Sequence, residues 1–483
     1  MPVPLFAIAA ATLPPRSVVR PEVLTLQSAQ SYHTTLLQSA RAVERAHNHT
    51  APSRLPRAPA CAAPASRVFN PVDFGADPTG ATDSSDAMEA AMRALLAHNG
   101  SGPTMASAIR DLGGVTLDLA GGDYLLSRPL RIPPMVGNLH VRDGTLRASA
   151  TFSADEWLLN VGNATTCKPK LPSGKPDGQA SCNEGITVSN MLFDAAHIAA
   201  GGLRVGMVMG TVVTSAFFTG FAKIGLSIEH GHEVMVSDTW LAACYWSDKP
   251  CAKSAADTVG IRIDGNDHYL TNVIVFDYTG TGVEVLGAAN VLEAVHTWNG
   301  GGVGISLGTA AAGSYGAHQN RLLGCYLDYN TLDMYDPSST VIESTFFLET
   351  YAVIHALKGT IDGLVMRYNS YTTPQSVVLD GSFSSAKNVL ISDEVGASKS
   401  TRARRVVARS GAASGTYSFD FSDALLFPWI DSVQYSVTLA SGFAMHAARP
   451  PNGTRLVVEL DGSAFGGPRP SDATVEVEVA QAL

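Results

Sequence analysis

The sequence is poor in charge and has no long apolar run. Charged residues make up 16% of the 483 residues, and 43 acidic against 33 basic side chains give a net charge of −10. An acidic chain of this kind is excluded from general nucleic-acid binding. No run approaches the 18 apolar residues of a membrane-spanning helix, so we expect no membrane segment.

Cysteine is also scarce, but its placement is informative. Cys167 and Cys182 bracket a loop of Lys, Pro, Gly and Ser, and a second pair brackets a short loop further along the chain. Short loops closed in this way are typical of disulfides in an oxidising compartment. We predict the bridges Cys167–Cys182 and Cys244–Cys251, with Cys61 and Cys325 left unassigned.

The composition of the N-terminal 66 residues predicts export, and we expect no catalytic residues among them. An apolar run from Leu5 to Leu13 is typical of a signal peptide, here residues 1–20, although no Lys or Arg precedes it. A cytosolic leader is the alternative. Four N-glycosylation sequons favour a secreted, extracellular protein; they begin at Asn48, Asn99, Asn163 and Asn452. Residues 21–66, rich in Ala, Pro, Arg and Ser, are predicted to be a leader and linker.

Pairs of aliphatic residues recur through the middle of the chain, each with one residue between its members. The pairs are Leu203/Val205, Leu226/Ile228, Ile261/Ile263, Val283/Val285 and Ile305/Leu307, and the last two steps are 22 residues each. Leu332/Met334, Val353/His355 and Val377/Leu379 continue the series. Each pair predicts a short strand with alternate side chains inward, and a fixed repeat of this length indicates a solenoid. We therefore predict a parallel β-helix.

The two ends of the solenoid are predicted to be covered. Apolar residues at helical spacing from Met88 to Leu96 predict an amphipathic helix, with Asp83 or Ser84 as its N-cap. Such a helix would cover the first coil. Residues 67–400 are assigned to the β-helix. Residues 401–483 alternate over longer strands, which predicts a C-terminal β module that caps the other end or binds carbohydrate.

An ordered series of motifs resembles a known superfamily. The segment Phe69-Asn-Pro-Val-Asp-Phe-Gly-Ala-Asp is followed by Gly113-Gly-Val-Thr, Gly231-His-Glu, Gly265-Asn-Asp and Val295-His-Thr-Trp-Asn. Together they resemble the pectate-lyase-like right-handed β-helices, and in particular the Quartet-type polygalacturonases of plants. The resemblance implies a secreted, monomeric cell-wall hydrolase of the α-1,4-galacturonan in pectin. It also implies a role in pollen tetrad separation, a pectic polysaccharide as partner, and no metal ion or cofactor.

Alignment of adjacent coils on their inward residues predicts one group of polar side chains, here named the corner cluster: Glu229, His232, Glu233, Asp264, Asp267 and His268. Neighbouring carboxylates shift each other's pKa, and glycoside hydrolysis needs one acid and one ionised carboxylate. We predict Asp267 as the acid, Glu233 or Asp264 as the base, and His232 as a residue that tunes or binds. Turn chemistry of Asn and Asp is the alternative.

A second set of acidic residues is predicted at the other end of these strands. It comprises Asp194, Asp248, Asp277, Asp328 and Glu349. In glycoside hydrolase family 28, which this chain resembles, the motifs Asn-Thr-Asp and Gly-Asp-Asp occupy this kind of position. Neither motif is intact here. Asp194 is the best single match and our second choice of catalytic residue.

Five residues are predicted to bind substrate: Arg262, His268, Lys223, His296 and Trp298. Arg262 suits bidentate contact with a galacturonate carboxylate, and an ion pair with Glu284 or Asp264 is its alternative role. Trp298 can stack on a sugar ring or pack within the protein. Two further functions compete with hydrolysis: a polysaccharide lyase, and a β-helix that binds wall polysaccharide without catalysis.

Overall fold

The structure is a computed structural model that describes residues 66–98, 109–162, 167, 181–244, 257–298, 302–311, 317–410, 415–463 and 472–482. Several predictions lie outside the described residues: the signal peptide, the leader to residue 65, Asn48, Cys61, Asn99, Asn163, Asp248 and Cys251. Of the four sequons, Asn452 is described, and it is exposed.

One α-helix follows the opening strands. Strand β1 (Val68–Phe69) leads into a 3-10 turn (Pro71–Phe74), strand β2 (Thr79–Asp83) and helix α1 (Ser85–Leu96). The N-cap position is Ser84, whose side chain makes no capping hydrogen bond, whereas Asp83, one residue earlier, accepts the Ser85 amide on Oδ1 at 3.1 Å. The apolar stripe of α1 is buried in the same hydrophobic core as the strands, as expected for a helix that covers the first coil.

The strands from β1 to β28 form one parallel solenoid, which confirms the predicted β-helix. After β2 the bounds are β3 Arg110–Asp118, β4 Asp123–Leu126, β5 Leu130–Ile132, β6 Val136–Ala148, β7 Trp157–Gly162, β8 Asn183–Asp194, β9 Gly201–Met209, β10 Val212–Thr214, β11 Phe217–Thr219, β12 Ile224–His232, β13 Met235–Ala242, β14 Val259–Asn266, β15 Tyr269–Phe276, β16 Thr281–Val285, β17 Val291–Trp298, β18 Val303–Leu307, β19 Arg321–Leu323, β20 Tyr326–Asp328, β21 Thr331–Tyr335, β22 Ser338–Glu343, β23 Phe346–Leu348, β24 Ala352–His355, β25 Thr360–Arg367, β26 Ser370–Tyr371, β27 Val377–Asp380 and β28 Ser385–Ser392.

Each coil contributes to three rows of paired strands. Row A contains β10, β19, β22, β25 and β28, and row B contains β4, β11, β20, β23 and β26. The long strands β6, β8, β13, β15 and β17 pass through both rows. Row C contains β5, β7, β9, β12, β14, β16, β18, β21, β24 and β27.

The predicted aliphatic pairs lie in register inside row C. Leu226, Ile261, Val283 and Ile305 form one stacked line, and Ile228, Ile263, Val285 and Leu307 form the next. All eight side chains are buried. One later pair was assigned wrongly. Ala352 and Ile354 pair with Leu332 and Met334 and are the buried residues of β24, so Val353 and His355 face outward. A slip of one residue reverses the face of a strand.

Asn and Asp side chains mark the corner between rows A and B. Asp143, Asn190, Asp238 and Asn272 all have left-handed backbones, with φ between 48° and 63°. Asn and Asp adopt this conformation at less cost than most residues. The Asn190 amide donates to Asp143 at 2.8 Å, and the Asn272 amide donates to Asp238 at 2.7 Å. These side-chain bonds fasten successive coils at the corner.

The C-terminal part forms a small sandwich of two three-stranded antiparallel sheets. The first sheet contains β29 Arg402–Ser410, β34 Asp472–Ala480 and β31 Ser432–Leu439, and the second contains β30 Gly415–Asp420, β33 Arg455–Asp461 and β32 Met445–Ala448. Phe427 and Ala482 belong to the core of the solenoid, and the Val389 amide donates to the Ala482 carbonyl at 3.1 Å. This module therefore packs against the last coil.

The cysteines follow the prediction where the structure describes them. Cys167 and Cys182 form a disulfide with Cα atoms 6.3 Å apart, which confirms that pairing. Cys244 is disulfide-bonded, and its predicted partner Cys251 lies outside the described residues. Cys325 is free and buried. Among the described helices, none is long and apolar enough to cross a membrane.

Candidate active site

An ion pair that the sequence analysis missed holds Glu229 in the corner cluster. Glu229 lies beside Asp264 on the next strand, as predicted. Its carboxylate also accepts two hydrogen bonds from the Arg204 guanidinium, Nε to Oε1 at 2.8 Å and Nη2 to Oε2 at 2.6 Å. This bidentate contact keeps Glu229 in a structural role. The sequence could have predicted that Arg204 faces outward, because it lies between the inward residues Leu203 and Val205.

The two aspartates of the corner cluster each face a histidine. Oδ1 of Asp264 lies 3.9 Å from Nδ1 of His230, and Oδ2 of Asp267 lies 3.6 Å from Nδ1 of His232. The Asn266 amide also donates to Asp267 at 2.7 Å. The alignment of coils predicted His232 opposite Asp267 in the register, and this prediction is wrong. His232 pairs with Asn266, because the ladder shifts after residue 229.

Two more members of the corner cluster lie at or below the surface of the turn. Glu233 has a left-handed backbone at φ 49°, as Asp267 has at φ 63°. His268 is fully buried, and its Nδ1 accepts the Val234 amide at 3.1 Å, so its proton is on Nε2. Burial, aided by the charge of His232, lowers the pKa of His268 to about 4. We therefore assign His268 a structural role in place of the predicted substrate contact.

The second acidic set is not one group in space. Asp194 is the last residue of β8, at the outer end of row B. Arg147 Nε lies 3.3 Å from its carboxylate, and Arg147 also bonds Asp123. Burial raises the pKa of Asp123, against the effect of Arg147 and with that of Asp194. Three strand pairings separate Asp194 from Phe276, which precedes Asp277. That spacing is about 14 Å, so Asp194 and Asp277 belong to different sites.

Aromatic rings line the outer face of row B. Phe276 and Trp298 stack with centroids 4.9 Å apart, and His296 and Tyr326 stack at 4.3 Å. Phe346 continues the line, with its centroid 5.0 Å from that of Tyr326. His296 and Trp298 were predicted from the sequence, and the other rings were not. Phe276 is buried, whereas His296, Trp298, Tyr326 and Phe346 are partly exposed. The partly exposed rings are the ones on which sugar rings can stack.

One carboxylate is opposite Trp298 in the register, and another follows the residue opposite it on the preceding strand. With His296 and Trp298 they are named here the aromatic ledge: Asp277, His296, Trp298 and Asp328. Asp328 is opposite Trp298 on the following strand, and Phe276 is opposite it on the preceding strand, just before Asp277. Two strand spacings, about 9.6 Å, therefore separate the coils that carry the carboxylates.

Burial shifts the pKa values of two titratable groups in the aromatic ledge. Burial raises the pKa of Asp277, which favours its neutral acid form. Burial lowers the pKa of His296, although the nearby charge of Asp328 opposes this. Within the described part of the chain, His296 Nε2 and Asp328 Oδ1 are buried and have no hydrogen-bond partner. In the corner cluster, Glu233 Oε2 and His268 Nε2 are in the same state.

The predicted cationic contacts are already engaged with carboxylates. Arg262 lies outward on its strand as predicted, between Ser227 and Glu284, and its Nε bonds the Glu284 carboxylate. The alternative ion pair is therefore the one that forms. Lys223 bonds Asp155 in the same way. A galacturonate carboxylate would have to displace these partners before it could bind either cation.

Comparison with known proteins identifies one curated relative of high similarity. The sequence matches no protein-family model. It is 32% identical over 431 residues to polygalacturonase QRT3 of Arabidopsis thaliana, and the aligned region covers 85% of each chain.

Solved structures with similar folds share little sequence. The exopolygalacturonase of Thermotoga maritima has 12% identity and a TM-score of 0.39, over 73% of this chain and 89% of that chain. The A-module of the mannuronan C-5 epimerase AlgE6 of Azotobacter vinelandii has 11% identity and a TM-score of 0.45, over 68% and 98%.

Proposed function

The chain belongs to the polygalacturonase family that includes the Arabidopsis protein, and from this premise we propose that it hydrolyses the α-1,4-galacturonan backbone of pectin. The observation that carries the proposal is the 32% identity across 85% of both chains. The aromatic ledge supports it, because stacked rings beside paired carboxylates suit a polysaccharide substrate. We propose that the protein acts as a monomer in the cell wall and needs neither metal nor cofactor.

Secretion and a developmental role are parts of the same proposal. The apolar N-terminal run, the sequons and the Cys167–Cys182 disulfide support export. Separation of pollen tetrads is proposed from the resemblance to Quartet-type enzymes.

We place catalysis at the aromatic ledge, with Asp277 as general acid and Asp328 as general base. An inverting glycosidase holds its two carboxyl groups about 6.5–9.5 Å apart to admit a water. The coils that carry Asp277 and Asp328 are about 9.6 Å apart, just above that range, so the two side chains must lean towards each other. The raised pKa of Asp277 suits the acid, since a general acid must keep its proton near the working pH. In the corner cluster, by contrast, Glu229 is bound by Arg204 and His268 is buried.

Product analysis distinguishes hydrolysis from the competing functions. De-esterified polygalacturonate is incubated with the purified protein at mildly acidic pH, with and without a chelator. Hydrolysis releases new reducing ends without ultraviolet absorbance and is unaffected by the chelator. An unsaturated product would indicate a lyase, and retention on pectin without new ends would indicate a binding protein.

Five matched variants distinguish three candidate sites. We expect Asp277→Asn and Asp328→Asn to lower kcat by about 10² to 10⁴, the range for loss of a general acid or base. Asp264→Asn and Asp267→Asn should retain activity. The opposite pattern would return catalysis to the corner cluster, with Asp267 as acid and Asp264 or Glu233 as base. Loss of activity only in Asp194→Asn would place it at the outer end of row B.

A further inference from the structure

A buried hydrogen-bond network lies beside the aromatic ledge, where the chain turns from row B to row C. The side-chain amide of Asn330 donates to the carbonyls of Thr297 at 2.9 Å and Asp328 at 3.0 Å. It also donates to the Tyr278 hydroxyl at 3.1 Å, and the Thr297 hydroxyl donates to Asn330 Oδ1 at 3.3 Å. The three linked side chains are named here the ledge anchor: Tyr278, Thr297 and Asn330.

Each residue of the ledge anchor is a close neighbour in sequence of the aromatic ledge. The neighbours are Asp277 for Tyr278, His296 and Trp298 for Thr297, and Asp328 for Asn330. Short backbone links therefore connect one buried amide to all four residues of the aromatic ledge, which lie on three different coils.

The ledge anchor is enclosed, and its donors and acceptors are matched. All three residues are at most 4% exposed, so water cannot replace a lost hydrogen bond. Burial raises the pKa of Tyr278, although hydrogen bonds with Thr297 and Asn330 oppose this, so the hydroxyl keeps its proton. Carbonyl groups only accept hydrogen bonds, which fixes the direction in which the Asn330 amide points.

Glycine on the neighbouring strands gives the ledge anchor its space. A Cβ at Gly304 of β18 would lie 2.1 Å from Oδ1 of Asn330 and 2.6 Å from Oγ1 of Thr297. A Cβ at Gly282 of β16 would lie 3.1 Å from atoms of both Tyr278 and Thr297. The backbone of row C thus packs directly against the network, so its side chains have little freedom to shift.

We propose that the ledge anchor positions the catalytic groups of the aromatic ledge, an inference that rests on the proposed function. Tyr329, between Asp328 and Asn330, has a left-handed backbone at φ 54°, a conformation that surrounding bonds must maintain. The bond from Asn330 to the Asp328 carbonyl is one of them. Loss of the network lets the coils that carry Asp277 and Asp328 change their separation, and misplaced catalytic groups react more slowly.

Two variants remove one hydroxyl group each and keep the shape of the side chain. We expect Tyr278→Phe and Thr297→Val to lower kcat on oligogalacturonides by about 10- to 100-fold, the scale of a small misplacement of catalytic groups. KM should change much less, because the rings that contact the sugar are still present. Thr297→Ser restores the hydroxyl group and should recover most of kcat, which a requirement for the methyl group alone would not produce.

Thr340→Val is the matched control for loss of a buried hydroxyl group. Thr340 is 1% exposed, and its Oγ1 donates to the Ser338 carbonyl at 3.1 Å, away from the aromatic ledge. We expect Thr340→Val and Thr297→Val to lower the midpoint of urea unfolding similarly, and kcat to fall in Thr297→Val alone. An equal fall of kcat in both variants would reduce the ledge anchor to a general stabilising element and overturn the proposal.

A readout that needs no turnover separates this inference from the proposed function. Acrylamide quenching of Trp298 is obtained as the difference between each protein and the same protein with Trp298→Phe. It should increase in Thr297→Val and return to the wild-type value in Thr297→Ser.

The outcomes that contradict the two proposals differ. Wild-type kcat in Tyr278→Phe and Thr297→Val, in an enzyme that Asp277→Asn slows, overturns the positioning role and leaves the proposed function intact. Unchanged quenching in Thr297→Val overturns the positioning role whether or not the protein is a hydrolase. Full activity of both Asp277→Asn and Asp328→Asn refutes the catalytic site, and the positioning role with it.

Discussion

Trp298 is predicted to contribute directly to substrate binding through the part of its ring that is exposed. Full burial of an aromatic side chain removes about 150–250 Å² from water. Trp298 is already half-buried, with Phe276 stacked on its ring, so about 50 Å² is left for a sugar. At about 25 cal/mol per Å² this is about 1.2 kcal/mol, of which ordering of the polysaccharide cancels a part. A net contribution of about 0.5–1 kcal/mol corresponds to roughly a 2- to 5-fold change in affinity. We therefore expect Trp298→Ala to raise KM by this factor and to change kcat less.

Steady-state kinetics on defined oligogalacturonides measure this effect. Trp298→Phe keeps a ring against Phe276 and should restore most of the affinity. Trp429→Phe is the control for loss of an indole elsewhere, because Trp429 stacks on Phe427 near the C-terminal module. An unchanged KM in a folded Trp298→Ala protein would show that the polysaccharide does not lie along row B.

Three further results are expected. Ile263→Ala opens a cavity between stacked coils and should lower the free energy of unfolding in urea by about 2–5 kcal/mol, whereas Val353→Ala, outward on row C, should cost less than half of that. Cys182→Ser releases a loop of 15 residues and should cost up to about 3 kcal/mol in the same assay, unless the reduced wild type proves equally stable. Because burial raises the pKa of Asp277, its acid form persists to higher pH, so kcat/KM should fall as the pH rises through that pKa. Asp277→Asn should remove this limb from the residual activity, and an unaltered pH profile in that variant would exclude the role.

The repeat of aliphatic pairs was sufficient to predict the solenoid. A period of two within strands and 22 between coils fixes which side chains are inward, because each must be covered by the coil above and below. The prediction failed at β24, where Ala352 and Ile354 are inward. Alanine carries a weak apolar signal, so the pattern Val353/His355 looked equally regular.

The site was harder to predict because side-chain partners depend on register at the corners. The register of the strand pair shifts after Glu229, so His232 lies opposite Asn266. No local sequence pattern predicts such a shift in register. Asp194 and Asp277 occupy similar places in their own coils, yet three strand pairings lie between them. The stacking of Phe276 on Trp298 was open to prediction, since both follow inward residues 22 positions apart.

The most direct test of the central claim is hydrolysis of polygalacturonate in water enriched in oxygen-18. Hydrolysis breaks the bond between the anomeric carbon and the glycosidic oxygen, and the attacking water supplies the new hydroxyl group. We predict products that each carry one heavy oxygen at the new reducing end and no double bond, formed by the wild type and about 10² to 10⁴ times more slowly by Asp277→Asn and Asp328→Asn. Unsaturated products without the label would contradict hydrolysis. Labelled products formed at the full rate by both variants would contradict the site.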